Sequence, residues 1–189
     1  MDYTDFHARC NWCGDDPLYK AYHDREWGKT TSDEQKLFEF LILESAQAGL
    51  SWITILCKRE AYREAFDNFD PATVAQYTES KIQELLRHEG IVRNKNKIRS
   101  AVSNASVFLE IQKEFGSFHA YLYTFLPEKK PIVNTFEKPE DVPAQTPISS
   151  ALSKDLKKRG MKFIGPTIMY AYMQAIGMVN DHLISCDFR

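Results

Sequence analysis

The chain has 189 residues, 43% of them hydrophobic and 13% aromatic, with a formal net charge of −2. That length and apolar content can bury a sizeable core and point to a single domain over residues 1–189, while the near-neutral balance excludes an overall positive field, so any nucleic-acid contact must come from local patches. No apolar run is long enough to span a membrane, and MDYTDFHARC carries acids where a secretion signal would be basic, so a cytoplasmic protein is expected whose four cysteines are thiols or metal ligands rather than a disulfide frame.

Residues 1–9 read as a flexible tail. From Cys10 onward, RCNWCGDDPLYKAYHDREWG gathers Cys10, Trp12, Cys13, Tyr19, Tyr22, His23 and Trp27. Asp15 or Asp16 suits a helix cap and Pro17 the first helical turn, which sets Tyr19, Tyr22 and His23 on one side. A packing helix with half-exposed aromatics explains any one of these residues, but explains the whole set less well. Ser32, through Ser32-x-x-Gln35, then starts a helix whose inward stripe is Leu37, Phe40, Leu41, Glu44 and Ala48. Glu44 falls where a leucine would be expected. An unpaired buried carboxylate is costly or driven to its neutral form, so Glu44 needs a cation, a strong donor or a wet cavity beside it. Either it is tied to a buried arginine or helix-end amides, or it forms part of a pocket. Gly49 ends this helix and Ser51 caps the next, bringing Trp52 beside the acid.

The second helix is expected to continue through KREAYREAF to Phe66, with Cys57 as a small core residue. DPATVAQ and TESKIQELLR each open on a capping residue, and Gly90 stops the latter. Arg93, Lys95, Lys97 and Arg99 follow; they read as a solvated helix start or as contacts to a phosphate backbone. A helix over 96–115 with Ile98, Val102, Ala105, Leu109 and Ile111 inward ends at Gly116. SFHAYLYTF is a short aromatic helix, and residues 127–147, rich in proline, an extended loop. SSALSKDLKKRGMKFIGPTIMYAYMQAIG then reads as a helix to about Gly160, a connection marked by Gly160 and Gly165, and an apolar helix from Pro166 with Thr167 in its first turn. Free N–H groups at such a helix start attract anions, and Lys157, Lys158, Arg159 and Lys162 border it. The unit fits a helix-hairpin-helix that grips DNA backbone; it also fits any glycine-capped pair of helices. The elements together give an all-α fold.

His182 and Cys186, at i and i+4, join Cys10, Cys13 and His23 as five candidates for the four places of a tetrahedral zinc site. A closed four-ligand site is structural, and here it would fasten the two chain ends together. Free thiols and surface histidines are the alternative reading.

In order along the chain, RCNW, DPLYKAYHDREWG, LESAQAGLSWITIL, FDP, GIVRNKNKI, TPISSALSKDLKKRGMKFIGPTIMYAYMQAIG and NDHLISC resemble the 3-methyladenine DNA glycosylase I family of the helix-hairpin-helix glycosylase superfamily, over Cys10 to Cys186. The resemblance implies the helix-hairpin-helix glycosylase fold, with a structural zinc on Cys10, His23, His182 and Cys186. Cys13 is a departure that leaves open which thiol binds. It implies a base pocket of Glu44, Tyr22 and Trp52 with Tyr19, Trp12 and Trp27 nearby, and backbone contacts at Gly160, Lys162, Gly165, Thr167, Lys157 and Lys158. The implied partner is double-stranded DNA containing alkylated adenine, bound by a monomer. The implied activity is base-excision repair: release of free 3-methyladenine by hydrolysis of the N-glycosidic bond. Asp181 is by spacing the nearest counterpart of the superfamily's catalytic aspartate, yet beside His182 it equally fits a cap or a group that orients that ligand. No lysine stands out for Schiff-base chemistry, so a monofunctional enzyme leaving an abasic site is expected. Two other classes remain in view, a zinc-stapled lesion-binding module and a zinc hydrolase with an open coordination position.

Overall fold

A computed structural model of the protein describes residues 7–189. α1 (Pro17–Arg25) starts where the Asp16 side chain accepts from the N–H groups of Leu18 and Tyr19, and Pro17 presets the first turn. α2 (Glu34–Gln47) is capped by Asp33 rather than Ser32: Asp33 Oδ1 accepts from Gln35 and Lys36 N–H, and a carboxylate complements the positive helix start better than a hydroxyl. Every residue from Leu37 to Ala46 is buried, so α2 is wrapped on all sides instead of showing one inward stripe, and Ala48, beyond its end, is exposed. Gly49 follows with φ +85, the left-handed conformation that a helix stop favours.

The expected continuous second helix is two, α3 (Trp52–Cys57) and α4 (Arg59–Ala65), divided at Lys58, whose N–H tightens onto Ile55 O at 3.0 Å. The break rotates Cys57 to the surface, so it is no core residue. Asp70 and Thr78 cap α5 (Pro71–Val74) and α6 (Glu79–Leu85). α6 ends five residues before Gly90, which instead permits close passage: a Cβ there would lie 2.5 Å from Ala61 Cβ. α7 (Lys95–Phe115) runs from the Asn94 cap to Gly116, and α8 (Phe118–Tyr123) follows. Residues 127–147 are extended for the most part, but they include β1 (Ile132–Val133), which pairs in parallel with β2 (Val179–Asn180), Ile132 opposite Val179. This two-residue ladder is the exception to an otherwise helical fold. α9 (Pro147–Lys158) and α10 (Pro166–Ala175) form the hairpin pair.

The core centres on α2. Phe38 meets Phe108 edge-on at 5.2 Å, Phe108 stacks on Phe118 at 4.1 Å, and Tyr172 donates to Leu37 O at 3.0 Å, which fixes α10 against α2. Each such ring, fully buried, stabilises by about 1.5–3 kcal/mol. Of the stretch read as a tail, residues 1–6 lie outside the described residues. Ala8 exchanges hydrogen bonds with Asp187, and Arg9 forks onto Asp24, so chain start and chain end run together.

Candidate active site and metal-ligand cluster

Because the two ends meet, Cys10, His23, His182 and Cys186 converge, all buried, with their ligand atoms within 4.8 Å of one another. Cys10 Sγ lies 3.7 Å and Cys186 Sγ 3.3 Å from His182 Nδ1, and Cys186 Sγ 3.6 Å from His23 Nε2. A tetrahedron with bonds of 2.0–2.3 Å has edges of about 3.3–3.8 Å, so the donor set fits zinc. The remaining ring nitrogens are engaged: His23 Nδ1 meets Asp24 Oδ1 at 2.8 Å, and His182 Nε2 meets the Trp27 carbonyl at 3.1 Å, which orients both rings toward the cluster. Burial holds His182 down to about 4, keeping its imidazole neutral, and pushes the Cys10 thiol up to about 12. Neutral imidazoles can coordinate as they stand; a thiol held that high needs a cation beside it to ionise. Cys13 stands apart, its Sγ directed at Cys10 O at 3.2 Å.

Glu44 and all five singled-out aromatics, Trp12, Tyr19, Tyr22, Trp27 and Trp52, line one cavity of about 350 Å³. Glu44 is 3% exposed, and its Oε2, like Trp52 Nε1, is buried with no hydrogen-bond partner among the described residues. Burial raises the Glu44 carboxyl from 4.5 to about 8. The buried arginine that the sequence allowed for it is committed elsewhere: Arg59 binds Glu39 at 2.7 Å and Glu26 at 2.8 Å. Its guanidinium sits 5.0 Å from the Phe40 ring, which stacks on Trp52 and tilts against Tyr22, so this ion network backs the aromatic wall. Burial first, and then the Glu44 charge, push the Tyr22 hydroxyl well above its ordinary value and keep it a neutral donor. Trp12 and Trp27 face both ways, lining the cavity while packing on His23 at 5.2 Å and on His182 at 4.6 Å.

Asp181 also lines the cavity, but both its oxygens are engaged, accepting from Asn134 Nδ2 (2.7 Å), Tyr170 OH (2.6 Å) and Gln174 Nε2 (2.7 Å). Gln47, Pro139 and Val142 complete stretches of the wall that sequence reasoning missed. Only Gln47, three residues after Glu44, was within reach of a local argument.

At the hairpin, Gly160 takes φ +107 and Phe163 φ +56, while the buried Asn104 clamps Lys162 through both its N–H (2.9 Å) and its carbonyl (3.0 Å). Lys157, Lys158, Lys162 and Thr167 are exposed, and Gly165 caps α10 with open space where a Cβ would stand. Arg159 is not free for an anion, because Glu114 and Asp155 hold it. The basic run at 93–99 is likewise divided: Lys97 Nζ donates to Ala46 O and Ala48 O, capping α2, and Arg99 pairs with Glu79, leaving Arg93 and Lys95 exposed.

A family model described as methyladenine glycosylase matches residues 12–189. The chain belongs to the methyladenine glycosylase family. It is 48% identical to the DNA-3-methyladenine glycosylase of Haemophilus influenzae over 95% of this chain and 96% of that one, and 46% identical to DNA-3-methyladenine glycosylase 1 of Escherichia coli over 94% and 95%. A crystal structure of 3-methyladenine DNA glycosylase I superposes with a TM-score of 0.91 at 46% identity, covering 95% of this chain and 98% of the other. The Staphylococcus aureus enzyme, in a structure concerned with recognition of 3-methyladenine, gives 0.92 at 39% identity, over 95% of each. As a family member, the chain therefore shares its helical fold nearly end to end with these glycosylases.

Proposed function

We propose that the protein acts in base-excision repair as a monofunctional glycosylase, hydrolysing the N-glycosidic bond of 3-methyladenine in alkylated duplex DNA and leaving an abasic site. One observation carries this reading: a buried carboxyl, Glu44, with an unpartnered oxygen, set in a cavity walled by indole and phenol rings. Methylation at N3 gives the nucleoside's base a positive charge, which already makes it a good leaving group. The pocket then has to receive the extruded base, hold it and tolerate an oxocarbenium-like sugar. Glu44 is suited to the polar edge of that base and, next to a cation, to its own ionised form. Trp52 and Tyr22 stack on an electron-poor ring, cation–π contact adding about 0.5–2 kcal/mol each. Normal adenine lacks the charge and costs more to unstack, so selectivity follows from both differences. Among the described residues no lysine lines the cavity, which supports base release without strand scission.

Zinc in this reading is held by Cys10, His23, His182 and Cys186; when bound it supplies a closed, structural crosslink between the chain ends. α9, the hairpin and α10 act as the helix-hairpin-helix that grips the DNA backbone through Lys157, Lys158, Lys162, Thr167 and the amides around Gly160 and Gly165. The test is an assay of free base released from methylated duplex, with zinc measured on the same sample. Release of 3-methyladenine with the strand intact is expected; no release, or scission by the pure protein, would refute the proposal.

A further inference from the structure

The proline-rich segment, read from the sequence as an extended loop, supplies part of the cavity wall: half-buried Val142 and exposed Pro139 line it beside the pocket's rings. Its first half is tied to the region after α10, with Ile132 N–H donating to Met178 O (2.9 Å), Asn134 N–H to Asn180 O (3.0 Å) and Phe136 O accepting from Ile184 N–H (3.0 Å). Beyond Phe136 the hydrogen bonds among the described residues are local, from Lys138 N–H to Asp141 and from Val142 N–H to Pro139 O. The outer half is thus held by the anchored half before it, by Val142 packing against the core and by the start of α9 after it. Within the anchor, Asn134 Nδ2 donates at 2.7 Å to Asp181, a residue 1% exposed whose other oxygen takes Tyr170 OH and Gln174 Nε2 from α10.

We propose that Asp181 is a positioning residue, a latch that acts through Asn134 to set the segment against the cavity, and that Pro139 and Val142 fix the size of the alkylated base admitted. The inference rests on the glycosylase reading above. Three short hydrogen bonds, one to Oδ1 and two to Oδ2, turn the Asp181 side chain toward Asn134 and α10 and engage it in holding the wall. An apolar wall discriminates by bulk, an added methylene costing about 10–200-fold in a fitted pocket. Slackening the wall should therefore erode the preference for a methyl over a larger substituent, more than it slows the methyl substrate itself.

The test compares kcat/KM for duplexes carrying N3-methyl- and N3-propyladenine across the wild type, Asn134→Ala, Val142→Ala and Asp181→Asn. Asn134→Ala removes the side-chain tie while the backbone ladder stays and Asp181 keeps its two α10 donors. The expected result is a methyl-over-propyl preference reduced at least tenfold in all three variants, with 3-methyladenine release falling less than tenfold. An unchanged preference in Asn134→Ala and Val142→Ala would overturn the proposal. So would a loss of a thousandfold or more in Asp181→Asn beside an unaffected Asn134→Ala, for that pattern belongs to a reacting carboxylate. Should Asp181→Asn not fold, the other two variants decide the matter. A wild type that releases no 3-methyladenine would sink the glycosylase reading itself, an outcome distinct from release with an unchanged preference.

Discussion

Replacing Glu44 with Gln removes the carboxyl whose titration burial displaces and keeps nearly the same shape. In the fold the carboxyl holds its proton up to about 8; in the unfolded chain it loses it near 4.5. Between those values the native state binds more protons than the unfolded state, so this group lowers stability as pH rises, by up to about 1.4 kcal/mol per pH unit. Below 4.5 both states are protonated and the penalty vanishes. The deficit comes to about 1.4 kcal/mol at pH 5.5 and about 4 kcal/mol at pH 8. The amide stands in for the protonated acid at every pH, so Glu44→Gln should gain on the wild type by about 3 kcal/mol over that range. With a urea slope of about 2 kcal/mol per molar, the midpoints should separate by a further 1.5 M or so. Measuring both proteins at each pH cancels the other titrating groups. Parallel stability profiles would show that the acid is already ionised and solvated, and would undo the argument for an orphaned pocket carboxyl. The same variant should release 3-methyladenine about 10–100-fold more slowly, the difference between a charged and a neutral acceptor, while its duplex binding stays intact.

Stripping the metal with a strong chelator, or replacing Cys186 with Ser, should lower the melting temperature by about 10 °C or more, because the binding free energy of a structural ion is folding free energy. Cys13→Ser should leave one zinc per chain, as its thiol lies outside the cluster; a loss of zinc in that variant, or an unmoved melting temperature after chelation, would count against the assignment. Replacing both Lys157 and Lys158 with Ala should weaken duplex binding equally for all sequences and flatten the log–log salt dependence by about 2, and an unchanged slope would remove the hairpin from the DNA interface.

What the sequence disclosed were features written locally. Of the two carboxylates in the run Leu37 to Leu56, Glu44 falls on the stripe of Leu37, Phe40 and Leu41 and breaks its apolar pattern, whereas Glu39 lies off that stripe and is paired with Arg59 and Arg63; a rule broken without a partner marks function better than any rule obeyed. The cap at Asp16, one of two candidates, and the stop at Gly116 likewise depend on a few adjacent residues. Where the sequence misled, a distant partner had decided the outcome. Lys97 and Arg99 look like a basic patch until the carbonyls of Ala46 and Ala48 and the carboxylate of Glu79 are brought to them. The wall from Pro139 and Val142 depends on a ladder of two residues per strand joining positions 47 apart, too short to show alternation and too remote for a turn signal.

The two tryptophans that serve the cavity and the cluster together bear on why chain ends should be fastened beside a base pocket at all. Trp27 is held between the His182 ring, edge-on at 4.6 Å, and Trp12 at 4.9 Å, and its own carbonyl accepts from His182 Nε2. Trp12, on the single turn that starts at Cys10, lines the cavity two residues from that cluster member. An aromatic surface is useful to an extruded base only if its rings are already in place, because ordering them on binding would be charged against affinity. A metal held by the four residues would tie Cys10, before α1, and His23, within it, to His182 and Cys186 after α10, and so would immobilise the stretch that carries Trp12, Tyr19, Tyr22 and Trp27. A crosslink at that spot therefore preorganises the pocket as well as stabilising the fold.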